Sequence, residues 1–533
     1  MRTVSLFFLL CSLFFVTTAC KEFLEPQSPS EFVPKDANAL NEMLLGEAYP
    51  RATIGGINTF MGLLDDDVAA APYQEPNSTI DANRYFAPFT WQSDVYVRME
   101  AAGIQETNTN MYAQYYRFIK GCNAALDYVG DMSDTEENKN NVRAQAHALR
   151  AFFNLQLVNM YAMPYNHNPQ GLGIPIKRTS MIESTDIKRN TIAEVYEFIL
   201  EDLLEAERLY LSLPDDRQWA TDFRTNLPMV QLLLSRAYLY MENWAKASEY
   251  AAKVMANSHL RLLDLNTVPT IGDAQGVTDA RIFMNYHSFD SSPETIWLYG
   301  KVTDMTMLLS DNSVDADGRA IHTFFRASDA LLRSFDAKDL RRDRYVTVSW
   351  FKTQTEGGAL DYMPQAFGKV NVVNSLTSAY DIHVQFWASD GTNTTFGRSL
   401  RLSEAYLNFI EAETQLATTE GGAHQTNALS RLNELRAKRF APADFTPVTI
   451  TDKAQLLQFV KDERRRELCF EGHRWNDLRR WGMPEIKHVW YESATREREY
   501  TLRQADPFYA LPIPNQALDL NPSLEPNPLA VRE

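Results

Sequence analysis

The sequence predicts a mainly α-helical fold in which a scaffold of helix pairs carries two loop-rich regions. Apolar residues recur at spacings of three and four along most of the N-terminal half, which is the pattern of amphipathic helices. Two stretches, residues 58–94 and 266–395, are instead irregular and rich in polar turn-forming residues. Long irregular segments on a rigid scaffold are where binding residues usually lie, so we expect the function in these two regions.

The first residues have the layout of a secretory signal. Arg2 gives a positive start, residues 4–16 form an apolar run shorter than the roughly 20 residues of a membrane span, and small residues precede Cys20. This layout predicts a lipoprotein signal peptide over residues 1–19 and an acylated Cys20. A lipobox usually has Leu where this chain has Thr17, so an ordinary cleaved signal with an incidental cysteine is the alternative.

The rest of the chain has the composition of an acidic globular protein. Residues 20–35 are polar and contain proline, which suits a tether between a lipid and the folded domain, residues 36–533. The net charge of −17 argues against a nucleic-acid partner. Beyond the predicted lipid anchor only Cys122 and Cys469 remain, too few for a disulfide scaffold, although a single bridge between them is left open.

Helical periodicity defines the scaffold. The predicted helical stretches are residues 111–129, 142–161, 191–211, 227–258 and 400–439. The third begins with Thr191 and Glu194, a capping box. The last two each divide into a pair of helices, near residues 242–243 and 421–422.

The pair at 227–258 has small residues where two helices must approach closely. These are Ala237, Ala247 and Ala251, with Trp244 to fill the gap beside them. The pairs resemble tetratricopeptide units separated by long insertions, or any αα-hairpin. Between them, residues 294–299 and 345–349 are short β-prone runs.

Near the C-terminus lies a charged stretch, RRRELCFEGHRWNDLRRWG at 464–482. It could be a nucleic-acid-binding segment, a catalytic carboxylate cluster or a structural element. A stripe at helical spacing is formed by Val460, Arg464, Leu468, Glu471, Trp475 and Leu478. The arginines at 464–466 are offset by Glu463, Glu467, Glu471 and Asp477. Because opposed charges and a packed aromatic stripe suit neither a nucleic-acid patch nor a cleft, we interpret the stretch as structural.

The stretch 463–482 resembles the C-terminal signature of the SusD/RagB family of Bacteroidetes outer-membrane lipoproteins. Other segments resemble the family in the same order, namely Cys20 with its tether, residues 144–161 with 171–175, residues 227–255 and residues 509–514. The resemblance implies a tetratricopeptide-like helical scaffold with an inserted irregular binding region. It also implies a surface-exposed, lipid-anchored protein that caps a SusC-type TonB-dependent transporter and holds an oligosaccharide, or a peptide in some members, without catalysis.

A sugar-binding surface needs aromatic platforms beside hydrogen-bonding side chains. The first loop-rich region offers Asp66, Tyr73, Asn83, Arg84, Tyr85 and Trp91. The second offers Tyr286, Tyr299, Asn312 and Phe324. We expect Trp91 to be the main platform because it follows Pro88-Phe89-Thr90 in what reads as a polar loop, whereas Trp244, Trp475 and Trp481 are assigned to the scaffold.

Other chemistry is sparse in the sequence. Residues 313–318 resemble half of a calcium loop, but its twelfth position would be Phe324 instead of Glu, so we expect no metal and no cofactor. The motifs HExxH, GxSxG and GxxxxGK are absent from the sequence. A helical glycoside hydrolase using two carboxylates leaves no local motif, so it stays as an alternative, beside a peptide-capture protein and a protein-interaction scaffold.

Overall fold

A computed structural model gives the fold of the chain. It describes residues 34–51, 57, 60–70, 78–104, 110–182, 187–268, 288–290, 292–301, 325–345, 347–354, 360–367, 372–374, 384–386, 396–493, 496–529 and 532. The predicted signal peptide, the acylated Cys20 and most of the predicted tether lie outside these residues.

Helices dominate the described residues. In chain order they are α1 Ala37–Glu47, α2 Ser78–Phe89, α3 Val95–Ala101, α4 Met111–Tyr128, α5 Glu136–Tyr161, α6 Ile192–Leu211, α7 Asp215–Gln218, α8 Leu227–Tyr240, α9 Trp244–Met255, α10 Asp329–Ser334, α11 Arg341–Arg344, α12 Leu402–Leu416, α13 Ala423–Ala437, α14 Lys453–Leu468, α15 Arg474–Arg480 and α16 Asn515–Leu520. The predicted capping box is present, since Thr191 and Glu194 each accept from the other's backbone amide at the start of α6.

The long helices form the scaffold by packing in chain order. Helices α4, α5, α6, α8, α9, α12 and α13 each lie against the next, and α14 packs on α12. Ala237, Ala247 and Ala251 are fully buried, which lets helices approach closely, and the partly buried Trp244 packs against the core. The helix pairs predicted at 227–258 and 400–439 are therefore confirmed, with breaks where the sequence indicated them.

The strands are short and pair two by two. They are β1 Val68–Ala70, β2 Thr295–Lys301, β3 Phe325–Ala327, β4 Thr347–Gln354, β5 Leu360–Phe367, β6 Val372–Asn374, β7 Val384–Phe386, β8 Phe396–Arg401, β9 Ile486–Ser493 and β10 Arg496–Leu502. The antiparallel pairs are β1–β3, β2–β8, β4–β5, β6–β7 and β9–β10. The two β-prone runs of the sequence fall in β2 and β4.

The first loop-rich region is less irregular than predicted. Most of its second half is helix α2, and Met61–Leu63 is a 3₁₀ turn. The prediction of an irregular segment from 58 to 94 is wrong over α2, because Pro88 lies inside the last turn of this helix and polar residues fill its start. A proline this late in a helix removes few hydrogen bonds, but in the sequence it resembles a breaker.

The charged stretch at 464–482 is structural, as interpreted, but it is not one helix. Helix α14 ends at Leu468 and α15 begins at Arg474, and between them Phe470 and Gly472 adopt left-handed φ angles of 62° and 82°. Trp475 is buried and its ring stacks on Tyr509 with centroids 4.8 Å apart. The apolar residues of the stripe thus lie on both α14 and α15 and face the same hydrophobic core.

The charges of this stretch pair only partly with one another. Arg464 binds Asp477 at 2.8 Å and Arg466 binds Glu463 at 2.7 Å, as the sequence indicated. Arg465, however, binds Asp67 at 2.6 Å, far away in the sequence. The interpretation that the charges of residues 464–482 offset one another is therefore wrong for Arg465. It is also wrong for Glu467, whose arginine partners lie outside the stretch.

Glu467 is the centre of a buried ionic network. Its carboxylate accepts from Arg341 (3.0 Å), Arg401 (2.7 Å) and Arg439 (2.9 Å), and all four side chains are buried. Burial alone would raise the pKa of Glu467, but the charges of Arg439 and Arg401 hold it well below its usual range. Since Arg341 and Arg401 lie in and directly after the second loop-rich region, this network fastens that region to α14.

Both remaining cysteines are free thiols in the interior. Cys122 and Cys469 are buried and form no bridge with each other, so the disulfide that the sequence left open is not formed. Burial raises the pKa of the Cys122 thiol. Within the described residues, every helix is too short or too polar to cross a membrane.

Candidate functional site

The two loop-rich regions, about 250 residues apart in the sequence, meet in one small sheet. Strand β1 pairs with β3 in antiparallel register, with Val68 opposite Ala327 and Ala70 opposite Phe325. The Ser328 amide donates to the Asp67 carbonyl at 2.8 Å and extends this pairing. Both regions therefore contribute to the same small sheet, which we call the β1–β3 edge.

Helix α2 lies beside this edge and brings aromatic rings to it. Tyr85 meets the ring of Phe325 edge-on with centroids 6.3 Å apart, and Phe89 lies 5.0 Å from the same ring. Phe325 and Phe89 are buried, whereas Tyr85 and its neighbour Arg84 are only half-buried. Of the predicted binding residues, Tyr85 is thus brought to the edge with part of its surface exposed, and its neighbour Arg84 in α2 is half-buried as well.

The hairpin β9–β10 adds further aromatic rings beside α2. The half-buried Phe86 packs edge-on against Trp490 and Tyr500, at 5.1 and 5.5 Å between centroids. The exposed guanidinium of Arg98 lies 6.0 Å from the Phe86 ring, and that of Arg498 lies 5.1 Å from Tyr500. Aromatic rings beside arginine donors are the combination that sugars and peptides bind.

Asp66 is held by arginines and is not a free hydrogen-bonding group. Arg474 donates to both of its carboxylate oxygens, at 2.6 and 2.8 Å, and Arg465 lies 3.4 Å away. Burial would raise the pKa of Asp66, but the hydrogen bond and charge of Arg474 lower it. The prediction that Asp66 binds ligand hydroxyls is therefore replaced by a structural role, in which Asp66 ties β1 to α15.

The pKa of the neighbouring Asp65 is shifted in the opposite direction. Asp65 is buried, and burial together with the charges of Asp67 and Asp66 raises its pKa well above the usual range. One of its carboxyl oxygens accepts from the Asp67 amide at 3.0 Å. Burial also raises the pKa of Asp67, although Arg465 binds it at 2.6 Å, so only Asp66 among the three aspartates has a lowered pKa.

Trp91 is a core residue, so the premise for its role as the main platform is wrong. Its exposed fraction is 0%, and its Nε1–H donates to the Leu64 carbonyl at 3.0 Å. Its ring stacks on His488 with centroids 4.2 Å apart. The polar appearance of its sequence neighbourhood is misleading, because Trp91 turns inward just after α2 with a left-handed φ of 54°.

His488 is enclosed between two aromatic rings. Phe89 stacks on one face with centroids 4.1 Å apart and Trp91 on the other. Its Nδ1 lies 2.7 Å from the Phe89 carbonyl oxygen and its Nε2 lies 3.0 Å from that of Asp65. Burial lowers the pKa of His488 to about 4, against the carbonyl contacts that raise it. This sandwich is the floor under the β1–β3 edge, and no sequence pattern indicated it.

Tyr299 also belongs to the core. It lies in β2 with an exposed fraction of 4%, stacked on Trp297 at 5.1 Å and edge-on to Phe152 at 5.2 Å. Its predicted role as a ligand platform is wrong for this reason. Trp297 and Tyr299 alternate along β2, which is typical of a strand packed on helices. This alternation is visible in the β-prone run of the sequence.

The remaining predicted residues are not tested. Asn83 lies in α2, but only its backbone is described. Outside the described residues are Tyr73, Tyr286, Asn312, Phe324 and the calcium-loop-like stretch 313–318. Among the residues that are described, His, Cys, Asp and Glu side chains nowhere form a group of three or more that could hold a metal ion.

Comparison with known families assigns the chain. A model of the SusD family matches residues 284–529, and a model described as "Starch-binding associating with outer membrane" matches residues 22–239. The two matches cover most of both halves. The chain belongs to the SusD family. Its scaffold is accordingly the mainly α, tetratricopeptide-like SusD fold, as the sequence predicted.

Individual relatives agree with this SusD-family assignment. "SusD-like protein P2" of Formosa agariphila is 26% identical over 433 residues, which is 78% of this chain and 79% of the relative. The structure of a SusD-like carbohydrate binding protein from Bacteroides vulgatus superposes with a TM-score of 0.64 at 19% identity, covering 92% of this chain and 98% of the other. Surface glycan-binding protein A from Bacteroides uniformis gives 0.62 at 19% identity, covering 92% and 99%.

Proposed function

We propose that this SusD-family protein captures oligosaccharides at the outer-membrane surface and delivers them to a SusC-type TonB-dependent transporter. The observation that carries the proposal is the β1–β3 edge, where both loop-rich regions meet beside the half-buried Tyr85 of α2. The same helix carries the half-buried Phe86 to the hairpin β9–β10, next to the exposed Arg98 and Arg498. The family description names starch binding and outer-membrane association, and one structural neighbour is named for glycan binding.

We further propose that capture involves no chemistry. Glycoside hydrolysis needs two carboxyl groups placed on either side of the scissile bond, one to donate a proton and one to act as base or nucleophile. At the β1–β3 edge, burial raises the pKa of Asp65, but its neighbours Asp66 and Asp67 are engaged by Arg474 and Arg465. An engaged carboxylate is a poor base or nucleophile, which favours binding over turnover.

Titration calorimetry on the full chain tests the ligand class. A panel of oligosaccharides and a panel of short peptides are titrated separately, and each mixture is analysed afterwards for shortened products. We expect heat of binding from at least one oligosaccharide, with unchanged product profiles. Binding of peptides alone would replace the glycan by a peptide ligand, and the appearance of shortened sugars would overturn the proposal that the protein is not an enzyme.

The anchor is proposed separately and rests on the signal-like start of the sequence. Cys20 is the acylated residue in this proposal, and the protein faces outward. Replacing it, Cys20→Ala, should move the protein from the membrane fraction to the soluble fraction and remove it from surface labelling. A Cys11→Ala variant, changed inside the apolar run, is the matched control and should stay in the membrane. Unchanged fractionation of Cys20→Ala would contradict the anchor.

A further inference from the structure

Three chain segments bring a second group of aromatic rings together. Trp219 follows α7, His259 follows α9, and Phe289 lies in the second loop-rich region. The rings of Trp219 and His259 are parallel within 10° with centroids 5.8 Å apart, and Phe289 meets Trp219 edge-on at 6.1 Å. His259 is exposed, and the other two residues are half-buried. We call these three residues, none of which belongs to the β1–β3 edge, the Trp219 cluster.

The Trp219 cluster is held in place by the surrounding chain. The Arg261 amide donates to the Pro293 carbonyl at 3.2 Å, which joins the chain after α9 to the second loop-rich region. Phe289 packs against the small apolar core of β2 and β8, and Trp219 packs against the main core. The rings are therefore ordered before a ligand arrives, which lowers the entropic cost of binding.

Groups that can form hydrogen bonds accompany these rings. The ring nitrogens of His259 find no hydrogen-bond partner among the residues that the structure describes, and a neutral imidazole offers one donor and one acceptor. Three residues after Trp219 begins the ion pair of Asp222 and Arg224, which are 2.9 Å apart and have side chains 35% and 38% exposed. The cluster thus combines apolar ring surface with exposed donors and acceptors.

This combination favours a sugar over an apolar side chain of a partner protein. A sugar ring has an apolar face that stacks on an aromatic ring, and its hydroxyl groups both donate and accept hydrogen bonds. An apolar side chain that covered the cluster would withdraw His259 from water without replacing its hydrogen bonds, at a cost in free energy.

We propose that the Trp219 cluster is a second sugar-binding platform, in which Trp219 stacks on a sugar ring and His259 bonds its hydroxyl groups. The inference rests on the proposed glycan capture and adds a further place at which the same class of ligand is held. The second loop-rich region contributes to both surfaces, with Phe325 at the β1–β3 edge and Phe289 here. A glycan polymer bound at two platforms is held more tightly than one bound at a single platform.

Fluorine NMR on the full chain labelled with fluorotryptophan tests the platform directly. The signal of Trp219 is the one that disappears in Trp219→Phe. We expect it to shift when an oligosaccharide that binds in calorimetry is titrated, and to shift also in the Tyr85→Ala variant. The signal of Trp244, a half-buried tryptophan of the scaffold that is identified through Trp244→Phe, is the matched control and should not move.

The outcomes of this titration separate the second platform from the proposed function. If the parent binds no oligosaccharide, both are overturned. If an oligosaccharide binds but the Trp219 signal stays unchanged, the second platform alone is overturned. A Trp219 signal that moves with short peptides and not with sugars also overturns the second platform, in favour of a peptide ligand.

Calorimetry with variants measures the contribution of each ring. Trp219→Ala should weaken oligosaccharide binding about fivefold to tenfold, and Trp244→Ala should leave it unchanged. Because His259 is exposed, His259→Ala should keep the thermal melt of the parent and weaken binding about threefold, so the test holds even where Trp219→Ala fails to fold. Equal affinity of the parent and the folded variants overturns the proposal.

Discussion

Two regions of the molecule use arginines and carboxylates in different ways. Around Glu467, the arginines 341, 401 and 439 are buried with their partners, and the whole group is closed to solvent. At the β1–β3 edge, Asp66 is likewise bound by an arginine, Arg474. Tyr85 and Phe86 of the neighbouring helix α2, however, keep part of their surface exposed. A high density of charged side chains therefore does not mark a ligand-binding site in this protein. Buried pairs fasten the chain, and partly exposed rings leave surface for a ligand.

The largest expected effect is at Glu467, where the comparison assigns a purely structural role. Glu467→Gln should lower the free energy of unfolding by roughly 3–5 kcal/mol, since three buried guanidinium groups would lose their shared carboxylate. Urea denaturation at pH 7 measures it. The control Glu249→Gln removes an exposed partner of Lys246 and Lys253 and should cost less than about 1 kcal/mol. Equal costs for both variants would contradict the role of the network.

A second test concerns the ring of Trp475, which is buried like the Glu467 network but packs against Tyr509. Trp475→Ala should cost roughly 3–5 kcal/mol, because it opens a cavity beside Tyr509. Trp475→Phe should cost much less, since the indole Nε1–H is buried and finds no acceptor among the described residues. Thermal melts of both variants measure the difference. A Trp475→Ala melt within error of the parent would show that the ring does not support the core.

Much of the helical scaffold could be predicted from the sequence, because its signals are local. The Thr191–Glu194 capping box, the helix pairs and the burial of Trp475 all follow from spacing over a few residues. The pairing of charges could not be predicted. Glu467 lies close in the sequence to several arginines, but its buried partners come from 28 to 126 residues away.

The candidate site was harder to predict for the same physical reason. Trp91 reads as a loop residue, but its ring stacks on His488, nearly 400 residues away, and its indole N–H bonds to the Leu64 carbonyl. Likewise, the pairing of β1 with β3 joins segments that share no sequence signal. The sequence did indicate the two regions in which ligand-binding residues were expected, and one of the named residues, Tyr85, lies half-buried at the edge.

The floor of the site should make stability depend on pH. Burial lowers the pKa of His488 to about 4, whereas in the unfolded chain it is about 6.5. Between these values the unfolded state binds more protons, so stability falls as the pH drops from 6.5 to 4, by about 3 kcal/mol in all. Asp65 acts in the opposite direction, because its raised pKa lets the folded state take up a proton.

The difference between parent and His488→Gln separates these two contributions. The variant should be less stable than the parent at pH 7, since it loses stacking between Phe89 and Trp91. Its stability should fall less than that of the parent between pH 6.5 and 4.5, because it lacks the titrating imidazole. Urea denaturation at several pH values gives both slopes. Parallel slopes would show that His488 does not titrate differently in the two states.

The smallest expected effect is at Tyr85, and it bears most directly on the open side of the comparison. A shallow surface site should bind weakly, with a Kd between micromolar and millimolar, or about −8 to −4 kcal/mol. One stacking ring contributes on the order of 1 kcal/mol. Tyr85→Ala should therefore weaken oligosaccharide binding about fivefold to tenfold in calorimetry, and Tyr85→Phe should keep most of it if the ring face makes the contact.

Tyr128→Ala, which removes a tyrosine exposed to 52% at the end of α4, is the matched control. Because Tyr85 also touches Phe325, each variant needs a thermal melt, and a loss of affinity counts only where the fold is retained. Equal affinity of the parent and a folded Tyr85→Ala variant would move the ligand away from this face of α2.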